Sequence, residues 1–193
     1  ISLAFYFVRN RLFNVILAWI FCILQGTLAI YEYTHADVTQ LVYFTADALA
    51  VIFLGVMGIV CIPVFYHSFV YLSKHPYKPR EMGMYYAAMV LLIASISAAY
   101  LSNHIGITWV FVEITTLSAS ALIYHRRNKF TLEGTWKYIF ICSISITLVF
   151  IGILFITVAV QQQGINDLFY RTLSLHAPKL SVFWLKLGFL FVF

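Results

Sequence analysis

Five stretches of this chain are apolar for twenty residues or more: Leu12–Tyr31, Tyr43–Leu72, Gly83–Ser102, His104–Tyr124 and Gly134–Val160. About 20 such residues in a helix cross the ~30 Å hydrocarbon layer of a bilayer. No water is present there to pair with backbone N–H and C=O groups, so each stretch must satisfy its own backbone as a helix. The composition agrees. The chain is 63% hydrophobic and 10% charged, against about 45–50% and about 25% in a soluble domain. The expected class is an all-α polytopic membrane protein, one membrane domain over 1–193. Two shorter apolar pieces flank the spans. Ile1–Val8 reads as the end of a helix and Ser181–Phe193 as the opening of another. With no initiator Met and no signal-peptide pattern, they suggest part of a longer chain.

In such a protein the formal charge of +5 is not a nucleic-acid signal; what matters is where Lys and Arg fall between spans. Arg9, Arg11, Lys74, Lys78, Arg80, Arg126, Arg127 and Lys129 fall on one face, and Arg171 and Lys179 on the other. The positive-inside rule assigns the first face to the cytoplasm. The second span is longer than a bilayer requires and holds Pro63, which removes a backbone donor and predicts a kink near Ile59–Pro63. Aromatic residues gather near span ends, as interface anchors do.

Against this apolar background one acid stands out. Glu113 lies mid-span, with no other charged or basic side chain between His104 and His125. An acid at that depth costs about 2.5–3.5 kcal/mol on insertion scales, and such residues mark ion or proton pathways. The neighbours Thr108, Thr115, Thr116, Ser118 and Ser120 are small and weakly polar, suited to close helix approach. A structural acid hydrogen-bonded to a neighbouring helix is the competing reading. Lys137 opens the next span, one turn in. It reads either as a snorkelling lysine or as a base that trades protonation with Glu113.

Lys186 and Asp47 are accessory candidates. Lys186 near a span end reads as snorkelling, and Asp47 as a helix-start acid favoured by the helix dipole. His104 and His125 bracket the Glu113 helix, where they would pass protons at its two mouths. No histidine pair is placed for haem. Cys22, Cys61 and Cys142 show no metal-site spacing and read as small core residues. No HExxH, GxGxxG, GxxxxGK[ST] or GxSxG occurs. No catalytic centre and no cofactor is therefore expected in this chain, and no metal.

The segments LSNHIGITWVFVEITTLSASALIYH and LEGTWKYIFICSISITLVFIGILF resemble the antiporter-like proton-translocating subunits. That family includes membrane-arm subunits of respiratory complex I, Mrp-type sodium/proton antiporters and membrane subunits of group 4 hydrogenases. The pattern is Trp109 and Glu113 in one helix, a basic loop, then Leu132, Glu133, Trp136, Lys137 and Tyr138. The wording LEGTWKY looks most like hydrogenase-4 type subunits. The resemblance is clear over about a third of the chain and weaker in Tyr43–Leu72, where Asp47 matches a helix-start acid.

It implies about fourteen helices in two inverted repeats, with Glu113 on the family's fifth helix and Lys137 on its sixth. Ser181–Phe193 would open the seventh, whose central lysine should follow Phe193. Lys186 comes too early to take that role, so this stretch alone is not expected to conduct ions by the family mechanism. The implied function is proton translocation within a redox-driven complex of a prokaryotic inner membrane. Its implied partners are the lipid bilayer, other antiporter-like and redox subunits, and protons, with sodium as an alternative ion. The alternatives are an Mrp-type antiporter subunit, a non-pumping structural module, and a subunit of a carbon dioxide uptake complex.

Overall fold

The computed structural model describes residues 11–35, 42–74, 79–165, 167–177 and 181–192. The expected partial helix Ile1–Val8 and the loop charges Arg9, Lys78 and Lys179 lie outside the described residues. Seven α-helices are present among those described: α1 (Arg11–Thr34), α2 (Ala48–Lys74), α3 (Pro79–Leu101), α4 (Ile105–Ile123), α5 (Lys129–Gln161), α6 (Tyr170–His176) and α7 (Val182–Val192). Helices α1 to α5 are long and apolar enough to cross a bilayer, and the chain is a multi-pass membrane protein.

Helices α1, α2 and α3 enclose the main core, in which Phe21 and Cys22 meet Cys61, Phe65, Tyr86 and Met89. Helix α4 runs along α3, α5 lies beside α4, and α7 packs on α5. The thiols of Cys22 and Cys61 are buried 3.2 Å apart, while Cys142 on α5 is half-buried. Helix α2 continues through Pro63, at one lost backbone hydrogen bond.

Helix boundaries differ from the apolar runs where local chemistry intervenes. Tyr43–Asp47 is not helical. The Thr45 amide donates to the Leu101 carbonyl (2.8 Å), and the Asn103 amide donates to the Tyr43 carbonyl (2.8 Å). Helix α2 then starts at Ala48, with the Ala50 amide donating to Asp47 Oδ1 (2.7 Å). Asp47 is exposed and acts as the N-cap, satisfying a first-turn donor that has no intrahelical partner. Helix α5 starts five residues ahead of the expected Gly134, because Asn128 and Thr131 form a reciprocal capping pair. After α4 the chain turns through a 3₁₀ helix, Tyr124–Arg126, and reverses at Arg127 with φ of 50°.

The α5–α7 contact depends on two glycines. A Cβ on Gly152 would lie 2.8 Å from the Gly188 carbonyl oxygen, and one on Gly188 would lie 3.1 Å from the Gly152 carbonyl oxygen. Small residues let helix backbones approach closely, which is how helices gain packing energy in lipid.

Gly152→Ala should cost about 1–3 kcal/mol through overpacking and lower the thermal midpoint of the full-length protein. Gly55→Ala, with nothing within 4 Å of the added carbon, should leave it in place, and equal midpoints would contradict this packing. At the start of α2, Asp47→Ala should cost about 0.5–2 kcal/mol, whereas Asp47→Asn should retain the cap. Equal loss in both would mean that the charge matters rather than the hydrogen bond.

Candidate functional site

Helix α4 is pinned at the face opposite the basic loops. His104 is its N-cap, with Nδ1 accepting from the Gly106 amide (3.2 Å). The His104 ring packs edge-on against Tyr43 and Phe169, with centroids 5.9 and 5.3 Å away. The Ile105 amide donates to the Leu168 carbonyl (3.3 Å), and the Tyr170 amide donates to the Asn103 carbonyl (3.1 Å). An Nδ1 that accepts here leaves Nε2 as the donor nitrogen of a neutral ring. His104 is thus a structural clasp first, whatever protons reach it.

The rotation of α4 follows. Trp109 Nε1 donates to the Ile146 carbonyl (3.2 Å), and its ring lies 4.9 Å from that of Phe150, both on α5. Glu113 comes one turn after Trp109, and positions three or four apart share a helix face. Thr116 and Ser120 continue that face, and Ser120 lines a groove together with Thr135 of α5. Glu113 therefore lies on the side of α4 turned to α5. Ser118 is buried, and Leu122 packs on the core of α1, α2 and α3.

Glu113 is half-buried. Its Oε2 is buried with no hydrogen-bond partner among the described residues. The nearby hydroxyls are committed to their own helix: Thr115 donates to the Val112 carbonyl (2.6 Å) and Thr116 to the Glu113 carbonyl (2.8 Å). A buried polar atom left so costs about 1–3 kcal/mol, which a purely structural acid would be expected to avoid.

Lys137 is not brought to Glu113. Its Nζ pairs with Glu133 Oε1, one turn earlier on α5, and both side chains are largely exposed. Thr135, two residues earlier, is the buried one, and two residues turn a helix by about 200°. The lysine thus points away from α4. Lys186 is likewise exposed.

His125 sits in the 3₁₀ turn on the other side of α4 from Glu113. Its ring lies 4.7 Å from that of Tyr85, and Tyr85 Oη is 3.2 Å from Ser68 Oγ. Glu81 and Arg127 meet nearby at 3.9 Å. The two histidines thus close the ends of α4, and His125 belongs to a polar group with α2 and α3 rather than to the Glu113 seam.

The sequence reading passed over two buried amides on α1. Asn14 is almost wholly enclosed, and Gln25 Nε2 donates to Ser97 Oγ (2.8 Å). Both are uncharged amides within one apolar span, and that is the sequence signal that marks them. Among the described residues no group of three metal-ligating side chains occurs.

No family model matches the chain. Curated relatives do. A hydrogenase-4 component F homolog of Methylacidiphilum infernorum is 26% identical over 118 residues, covering 60% of this chain and 25% of the relative. An NADH-quinone oxidoreductase subunit N of Buchnera aphidicola subsp. Acyrthosiphon pisum is 27% identical over 123 residues, covering 63% of this chain and 24% of the relative. The chain thus spans about a quarter of the length of the curated relatives it matches. Its fold is shared with a chain of the membrane-bound sulfane sulfur reductase, an archaeal respiratory membrane complex. The TM-score is 0.77 at 19% identity, over 93% of this chain and 37% of that one. Relatives of two kinds and a shared fold together support the assignment of this chain to the antiporter-like membrane subunits.

Proposed function

We propose that this chain is part of a membrane subunit of a complex I-like or group 4 hydrogenase complex, and that it moves protons across a prokaryotic cell membrane. Its basic loops face the cytoplasm in this reading. The named relatives support the kind of complex. The observation that carries proton movement is Glu113, a half-buried carboxyl at mid-helix, turned to the α4–α5 seam, with Oε2 lacking any donor among the described residues. Such a group gains a hydrogen-bond role by taking up a proton, because a protonated carboxyl becomes a donor.

Charge sets when it does so. A unit charge 4 Å away acts on it by about 4 kcal/mol at an effective dielectric of 20, enough to load or unload one proton. Lys137 is the lysine that lies further into the span on the following helix, two turns past Lys129. Its pairing with Glu133 balances its charge, and breaking that pair would let Lys137 act on the seam. Its role is modulation of Glu113 by charge, and Glu113 is the proton carrier.

The test uses the full-length protein in its native membranes. Inverted vesicles are assayed for donor-driven proton uptake with Glu113→Gln, Glu113→Asp and the unaltered protein, at equal assembly of the complex. Glu113→Gln should reduce uptake at least tenfold, and Glu113→Asp should retain part of it. Uptake that survives Glu113→Gln unchanged would remove this residue from the mechanism and favour a structural module. Uptake that requires sodium and ignores the electron donor would point to sodium/proton exchange.

A further inference from the structure

The two ends of α4 are held in different ways. At one end backbone bonds tie Asn103 to Tyr43 and Tyr170, and Ile105 to Leu168. At the other end, three consecutive side chains of the turn after α4 reach α2 and α3. The His125 ring lies 4.7 Å from that of Tyr85 on α3 and 6.5 Å from that of Tyr71 on α2. Arg126 Nε donates to Tyr71 Oη (3.0 Å), and its guanidinium lies 5.8 Å from the centre of the same ring. Arg127 pairs with Glu81 at 3.9 Å and donates to Met84 Sδ (3.3 Å), both on α3. Both tyrosines pack in turn on the core of α1, α2 and α3.

Backbone bonds are indifferent to pH between about 5 and 8, whereas a histidine ordinarily titrates in that range. His125 is half-buried. The charged and titratable groups on the elements around it are Tyr71 and Lys74 on α2, Arg80, Glu81 and Tyr85 on α3, Arg126 and Arg127 in the turn, and Lys129 and Glu133 at the start of α5. Glu133 is paired with Lys137, and Glu81, Arg127 and Arg126 are close enough to act on the ring by charge. A proton on His125 sets a third cation beside two arginines, where like charges repel, and draws Glu81 away from Arg127. Either effect loosens the hold on α3. The backbone of the turn depends on that hold. Arg127 has φ of 50°, in the left-handed region that is uncommon for a residue with a Cβ. Such backbone persists where its surroundings fix it, and it gathers at switch segments. Asn128 caps α5 immediately afterwards, so a change in the turn reaches the start of α5.

We propose that His125 is a proton-operated catch on the α4–α5 elbow. Neutral, its ring packs on Tyr85 and the elbow is fastened to α2 and α3. Protonated, it releases the elbow, and the start of α5 gains freedom against α4 along the seam that carries Glu113. In the orientation proposed above the catch senses cytoplasmic pH, and its effect on transport rests on the proton reading of Glu113.

The test uses the full-length protein in nanodiscs and follows amide hydrogen exchange across Tyr124–Asn128, corrected for the intrinsic effect of pH on exchange. In the unaltered protein, protection should fall at least about tenfold between about pH 8 and about pH 5. His125→Phe keeps a neutral ring and should stay protected at both. His125→Arg carries a permanent charge and should be unprotected at both; if it does not fold, His125→Phe against the unaltered protein decides. Protection that ignores pH in the unaltered protein, or the same pH response in His125→Phe, would overturn the proposal. Exchange is read without transport, so these outcomes stand apart from whether Glu113 carries protons. In inverted vesicles, the ratio of donor-driven proton uptake at the two pH values should differ at least about twofold between His125→Phe and the unaltered complex. Equal ratios would overturn the link from the catch to the seam.

Discussion

The rotation of α4 is the constraint on which the rest of the site depends. A spanning helix that is apolar on nearly every side has little in its own sequence to say which face turns inward. Here the rotation is fixed from outside. Backbone bonds join Thr45 to Leu101 and Asn103 to Tyr43 and Tyr170, and His104 caps α4 while its ring is held by Tyr43 and Phe169. One turn further in, the indole of Trp109 is fastened to α5. With the helix held at those two levels, Glu113 has one direction available, towards α5.

That direction separates two polar systems within one small bundle. On the α5 side of α4 are Trp109, Glu113, Thr116 and Ser120, continued by Thr135. On the α3 side are His125, Tyr85 and Ser68, with the Glu81–Arg127 pair at the surface. In the first system Glu113 Oε2 is buried without a donor among the described residues; in the second, the Ser68 and Tyr85 hydroxyls meet and the His125 ring packs on Tyr85. An apolar cavity between α4, α5, α6 and α7 borders that same seam on the side away from the basic loops.

Much of the fold was legible because length and hydropathy report directly on the bilayer. The five long helices lie where the five apolar runs do. Their starts were less legible, for a physical reason. Tyr43–Ala46 is apolar whether helical or extended, and only its pairing with Leu101–Asn103 makes it extended. Helix α6 has seven residues and no spanning signal, so nothing in hydropathy announces it. Glu113 stood out in the sequence because a lone acid among apolar residues is costly. That Lys137 would turn to Glu133 and away from α4 was not legible, since spacing along one helix says nothing of its rotation against the next.

The central claim is that Glu113 takes up and releases a proton during turnover. Infrared difference spectroscopy of the full-length protein in its complex, resting against turning over, reads this through the carbonyl stretch of a protonated carboxylic acid. The account predicts a band that changes on turnover and is lost in Glu113→Gln while the complex stays assembled. A band that persists in Glu113→Gln, or no carboxylic-acid change on turnover in the unaltered protein, would contradict it.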